Sequence, residues 1–100
     1  MTKILYFVTD IDPVSMRLAL EHEDSEVGIC LLQDAVYFGC KGRKGDGTLV
    51  EAKERGIRVF AAKKDVELRG LTKMLYPDVK VLDYDEIIDL VLDFKRVVNI

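Results

Sequence analysis

Four short apolar runs recur along the chain, separated by segments that carry helix punctuation, and this alternation narrows the fold more than any other feature. The runs are Ile4-Leu5-Tyr6-Phe7-Val8, Val27-Gly28-Ile29-Cys30-Leu31-Leu32, Ile57-Arg58-Val59-Phe60-Ala61-Ala62 and Val79-Lys80-Val81-Leu82. The first two are continuous, as in strands covered on both faces, while the last two alternate in part, as in strands nearer an edge. Strands interleaved with helices predict a parallel sheet with right-handed crossovers, a small α/β layered fold.

The intervening segments start and stop where helices should. Asp12-Pro13 sets a capping acid ahead of a proline at the first helical position, where the missing N–H costs nothing. Thr48-Leu49-Val50-Glu51 has the spacing of a capping box, and Gly56 follows Arg55 as a helix-ending glycine. Asp83-Tyr84-Asp85-Glu86 opens a last helix whose Ile87, Ile88, Val91 and Phe94 fall on one stripe. Leu90 and Leu92 widen that stripe, and Val97, Val98 and Ile100 follow it. A surplus of aliphatics in so small a domain predicts an oligomer.

At 100 residues the chain is the size of one domain, 1–100, with a single core. A net charge of −3 exerts no general pull toward nucleic acid or an anionic membrane. No apolar run approaches the roughly 20 residues that span a bilayer, and Met1 to Asp10 do not read as a signal peptide. Two cysteines and one histidine are too few for a disulfide framework, and neither metal nor cofactor is expected. The chain reads as cytoplasmic.

In a parallel sheet, ligands collect beyond the carboxyl ends of the strands. Those ends carry Thr9, Asp10 and Asp12, then Gln33 and Asp34, then Lys63, Lys64 and Asp65, and last Asp83, Tyr84 and Asp85. Asp10, Asp12 and Asp34 would suit Mg²⁺ if they met, though Asp12, Asp34 and Asp83 are better read as helix caps. The segment Lys41-Gly42-Arg43-Lys44-Gly45-Asp46-Gly47 lacks a Walker spacing; it is a solvated loop or, alternatively, part of a phosphate- or small-ligand-binding module. Cys30 reads as a buried small hydrophobe. Cys40 is the candidate nucleophile, because Lys41, Arg43 and Lys44 favour a thiolate, although the carboxyl end of a helix opposes it. His22 lies in the acidic stretch Glu21-His22-Glu23-Asp24 and reads as solvated.

Three stretches together resemble the DsrH/TusB branch of the DsrE-like sulfur-relay family. They are Leu31-Leu32-Gln33-Asp34-Ala35-Val36-Tyr37, the run from Val59 through Ala62-Lys63-Lys64-Asp65 to Arg69-Gly70-Leu71, and Val81-Leu82-Asp83-Tyr84-Asp85-Glu86-Ile87-Ile88-Asp89-Leu90-Val91. In order and spacing they cover most of Gly28 to Val91. The resemblance implies a flavodoxin-like (DsrE-like) domain with helices on both faces of a parallel sheet. It also implies a subunit of a persulfide-passing assembly that serves either thiolation of the tRNA wobble uridine or oxidation of intracellular sulfur. The implied partners are DsrE/DsrF (TusD/TusC)-like subunits or further copies of the chain, together with sulfur-transfer proteins; no direct contact with nucleic acid is expected.

Sulfur-carrying DsrE-type relatives close the third strand with a cysteine eight residues before the glycine of Arg-Gly; counting back from Gly70 gives Ala62. The stretch around Met16-Arg17-Leu18 also lacks the cysteine that some DsrH-type members carry there, and Ala35 stands where the family's glycine is usual. These departures favour a scaffold or partner-binding subunit without independent catalysis, in which Gln33, Asp34, Tyr37, Lys63, Asp65 and Asp83 shape a pocket or contact. The alternative is a carrier that holds persulfide on Cys40.

Overall fold

A computed structural model of the protein describes residues 2–22, 25–42 and 46–100. Strand β1 (Thr2–Val8) leads into helix α1 (Pro13–Leu20), and β2 (Ser25–Leu31) into a 3₁₀ helix (Gln33–Gly39) and α2 (Asp46–Glu54). Then come β3 (Arg58–Ala62), α3 (Lys63–Leu68), β4 (Lys80–Leu82), α4 (Tyr84–Phe94) and β5 (Arg96–Asn99). All five strands form one parallel sheet in the order β4-β3-β2-β1-β5. The layering is that of the expected α/β fold, with a strand order different from flavodoxin's own 2-1-3-4-5.

Connection handedness explains which helix covers which face. From β1 to β4 the chain steps along the sheet in one direction, so right-handed crossovers put α1, α2 and α3 on the same side. The step from β4 to β5 returns across the whole sheet, and the same handedness puts α4 alone on the opposite side. Two apolar clusters follow. Ile4, Tyr6, Val8, Val27, Ile29 and Leu31 pack with Met16, Leu20, Val36, Leu49, Ala52 and Val66. On the α4 side, Leu5, Cys30, Phe60 and Leu82 pack with Leu90 and Phe94. The continuous runs of β1 and β2 are thereby explained, since alternate residues enter different clusters.

Phe94 is 1% exposed, and Gly28 makes room for it: a Cβ on Gly28 would stand 2.6 Å from the Phe94 Cζ. The Arg58 guanidinium lies 5.1 Å from the centre of the same ring. Edge strands β4 and β5 are only three and four residues long, which limits the open backbone they present.

Two expectations change. Strand β5, built from the Val97-Val98 tail, pairs with β1 from Ile4↔Arg96 to Phe7↔Asn99 and absorbs part of the apolar surplus. Lys95 ends α4 in the left-handed region at φ 68°, a stop made without glycine and therefore invisible as a breaker. Helix α2 begins at Asp46, so Thr48 lies inside it, and the Glu51 carboxylate is held by Arg17 at 2.7 Å and Arg55 at 3.0 Å instead of closing a capping box. Those two guanidiniums hold the Glu51 carboxyl below its ordinary range, the Arg17 hydrogen bond being the largest cause. The caps at Asp12 and Asp83 are as expected: Asp12 accepts from the Val14 N–H, and Asp83 and Glu86 form a complete capping box.

Candidate functional site

At the carboxyl edge of the sheet the chain leaves β2 through Gln33, whose φ of 51° is left-handed and rare for a residue with a side chain. The Gln33 backbone N–H donates to Asp65 Oδ2 at 2.9 Å, tying the end of β2 to the first turn of α3. Arg69, one turn beyond Asp65, donates through Nε and Nη2 to Asp34 Oδ1 at 3.1 and 2.9 Å. Its Nη1 reaches the Asp65 carbonyl at 3.3 Å and the Asp65 carboxylate at 3.6 Å. Gln33, Asp34, Asp65 and Arg69 thus form one polar cluster spanning two strand ends.

Three of the six sequence-predicted site residues, Gln33, Asp34 and Asp65, meet in this cluster. Lys63 opens α3 beside it and is exposed, and Asp83 is occupied by the α4 capping box at the next strand tip. Tyr37 is half-buried and packs against the α1/α2-side core. Arg69 was not singled out from sequence as a site residue; its four-residue spacing from Asp65 is the signal that could have found it. Asp34 does not cap its helix: the 3₁₀ segment has no side-chain cap, and the carboxylate serves Arg69.

The Mg²⁺ alternative does not assemble. Asp10 accepts from the Ile11 N–H at 2.8 Å, Asp12 caps α1 and Asp34 pairs with Arg69. Among the described residues no group of three or more His, Cys, Asp or Glu is placed to hold a cation. Arg43, Lys44 and Gly45, the centre of the glycine-basic loop, lie outside the described residues.

Both thiols are sealed. Cys30, on the α4 side of β2, is 0% exposed; burial first, and the Asp65 carboxylate second, push its ionisation up to about 12. Cys40 is also 0% exposed. It closes the 3₁₀ helix and forms a backbone bridge with Leu75, which turns the side chain inward, its Sγ 3.9 Å from the Val36 carbonyl oxygen. Lys41 is nearby in sequence but in solvent, so its charge does not reach an accessible sulfur. His22 is not simply solvated either: its Nδ1 lies 2.6 Å from the hydroxyl of Tyr6, edge-on to that ring.

A groove of about 690 Å³ lies at the opposite end of the sheet, where Leu49, Ile57, Val59, Tyr76 and Val79 line the amino ends of β3 and β4. It is far from the strand-end cluster, and nothing in the sequence marked it.

Parallel strands, a lone helix on one face and a polar cluster at the carboxyl edge define a small three-layer α/β domain that displays no thiol. The chain belongs to the DsrH-like protein family, whose profile matches residues 11–97. Its fold is similar to that of the ychN protein from E. coli, with a TM-score of 0.86 and 20% identity over 100% of both chains. It is similar also to MTH1491 from Methanobacterium thermoautotrophicum, a protein of unknown function, at TM-score 0.81 and 13% identity over 100% of both chains. BT1422 from Bacteroides thetaiotaomicron, likewise of unknown function, aligns over 98% of this chain and 95% of its own at TM-score 0.73 and 15% identity. At these identities the likeness is one of fold. No curated protein matches the chain in sequence. No helix among the described residues is long and apolar enough to cross a membrane.

Proposed function

We propose that this chain is a cytoplasmic subunit of a sulfur-relay complex that binds neighbouring subunits and does not itself carry the sulfur. The observation that carries this reading is the burial of both cysteines, each 0% exposed. Persulfide transfer needs a thiolate that can attack a donor's terminal sulfur and present the product to an acceptor. A thiol inside the core meets neither, and Ala62 occupies the third-strand end where sulfur-carrying relatives of the resembled family place theirs.

Exposed apolar bands on opposite faces support the docking half of the proposal. Helix α4 exposes Tyr84, Ile88 and Leu92, and α1 with its approach exposes Ile11, Val14 and Leu18. Tyr84, Ile88 and Leu92 on α4, and Val14 and Leu18 on α1, are spaced by turns of a helix, so each group forms a band where scattered apolar residues would not. The partners are DsrE- and DsrF-type subunits, with the Gln33–Asp34–Asp65–Arg69 cluster at the edge of the contact. The relay ends in tRNA thiolation or in sulfur oxidation.

Two measurements on one preparation test the proposal. Co-expression with DsrE- and DsrF-type subunits is expected to recover a stable complex. Loading with a cysteine desulfurase, read by intact mass, is expected to add sulfur to a partner and none to this chain. Uptake of sulfur by the isolated native chain, lost in Cys40→Ser, would establish the carrier reading in its place.

A further inference from the structure

The groove at the amino end of the sheet is a consequence of strand register. The β3–β4 ladder begins at Phe60↔Lys80, so β3 runs on through Val59 and Arg58 with no strand beside it on that side among the described residues. The notch this leaves is walled by α2 and by the turn that leads into β4. That turn is anchored: the Tyr76 N–H donates to the Gly39 carbonyl at 2.8 Å, and the Val79 N–H to the Tyr76 carbonyl at 3.1 Å. The space of about 690 Å³ is therefore built into the fold, and it is the size of a small-molecule site.

The two faces of the sheet give the notch two different linings. Leu49, Val59 and Val79, with Ile57 and Tyr76 packed against them, belong to the α1/α2-side cluster and make an apolar trough. Arg58 and Lys80 lie on the α4 side, since they share register with Gly28 and Phe60 and Arg58 stacks near the Phe60 and Phe94 rings. Both bases are exposed. Lys80 enters no ion pair among the described residues, and the one ion pair of Arg58 there is with Glu26, Nη2 to Oε1 at 3.3 Å. Of the two acids in the lining, Asp78 is taken by Lys53 at 3.3 Å. The other, Glu54, is on α2 and not on the strand edge that carries the bases.

We infer that this notch binds a small amphipathic anion, a carboxylate with an aliphatic or aryl body. The body lies in the apolar trough, and the carboxylate meets Lys80 and Arg58 at the strand edge. A peptide strand fits less well, because two residues of uncovered edge are too few for the main-chain ladder that strand addition uses. A cationic ligand would leave Lys80 unanswered and bring like charge beside Arg58. The notch and the polar strand-end cluster are at opposite ends of the sheet, and binding here requires nothing of the relay reading.

Amide chemical shifts of the purified chain, titrated with octanoate, test this. Octanoate is expected to saturate, moving the amides of residues 49–53, 57–60 and 76–80 and leaving those of Gln33, Asp65 and Arg69 in place. Octanol is expected to bind at least about tenfold more weakly, and octylammonium more weakly still, because neither presents an anion to the two bases. Lys80→Glu is expected to weaken octanoate by about tenfold or more with the thermal midpoint near the parent's, as exposed substitutions leave it. Lys73→Glu, the same charge change in an exposed turn outside the groove, is expected to leave octanoate binding unchanged. Shifts that never saturate or that fall outside the groove would overturn the inference. So would octanol or octylammonium binding as tightly as octanoate, indifference to Lys80→Glu, or an equal loss in Lys73→Glu.

Discussion

The Cys30 thiol has an ordinary value of 9.0 and is pushed up to about 12 in the folded protein. Below pH 9 it is protonated in both the folded and unfolded chain and contributes no pH dependence. Between pH 9 and 12 the unfolded chain loses that proton while the native one keeps it, so stability falls as pH rises, by up to about 1.4 kcal/mol per unit. Melting across that window is expected to show a shallower alkaline decline in Cys30→Ala than in the parent; equal slopes would contradict the assignment. At the strand-end cluster, Asp65→Ala removes the acceptor of the Gln33 N–H and is expected to cost about 1 kcal/mol in denaturant titration. Gln33→Gly relieves a left-handed backbone, worth about 1 kcal/mol, and is expected to hold or raise stability while weakening partner capture. The acids and Gln33 were legible as strand-end residues. Their use was not, because a hydrogen bond from β2 to α3 spans 32 positions in the chain and no local spacing records it.

Helix α4 is held by a steric fit between elements as well as by its amphipathic stripe. In Gly28→Ala the new methyl would meet Phe94 at 2.6 Å, so the ring and its helix must shift. An overpacked core of this kind is expected to cost about 1–3 kcal/mol, measured by chemical denaturation. The loss should shrink in a Phe94→Leu background, where the ring is gone; additive losses would show that the contact is not the cause. At this scale the caps of α1 and α4 were readable, since Asp12 and Asp83 act on N–H groups two and three residues away. The start of α2 was misread because Thr48-x-x-Glu51 has the right spacing, while Glu51 is claimed by Arg17 from another helix. Strand β5 escaped because its partner β1 begins the chain, and because Lys95 stops α4 without a glycine.

Both apolar clusters of the molecule share one sheet, and neither has a second sheet to retreat to. We therefore expect residues 1–100 to unfold as one domain, with near- and far-ultraviolet circular dichroism tracing the same transition; separate midpoints would show that the α4 side melts alone. The sequence by itself determined the alternation of strands and helices, the two-sided burial of β1 and β2, the caps of α1 and α4 and, through three ordered motifs, the family resemblance. These are properties of periodicities and spacings a few residues long. The tertiary structure alone decided that β5 closes the sheet beside β1, that Arg69 gathers Asp34 and Asp65, that the Cys40 thiol faces inward and that Tyr84, Ile88 and Leu92 are the apolar positions of α4 left in solvent. Each of these depends on which distant segments become neighbours when the chain crosses its own sheet, and that choice is made by packing the whole molecule at once.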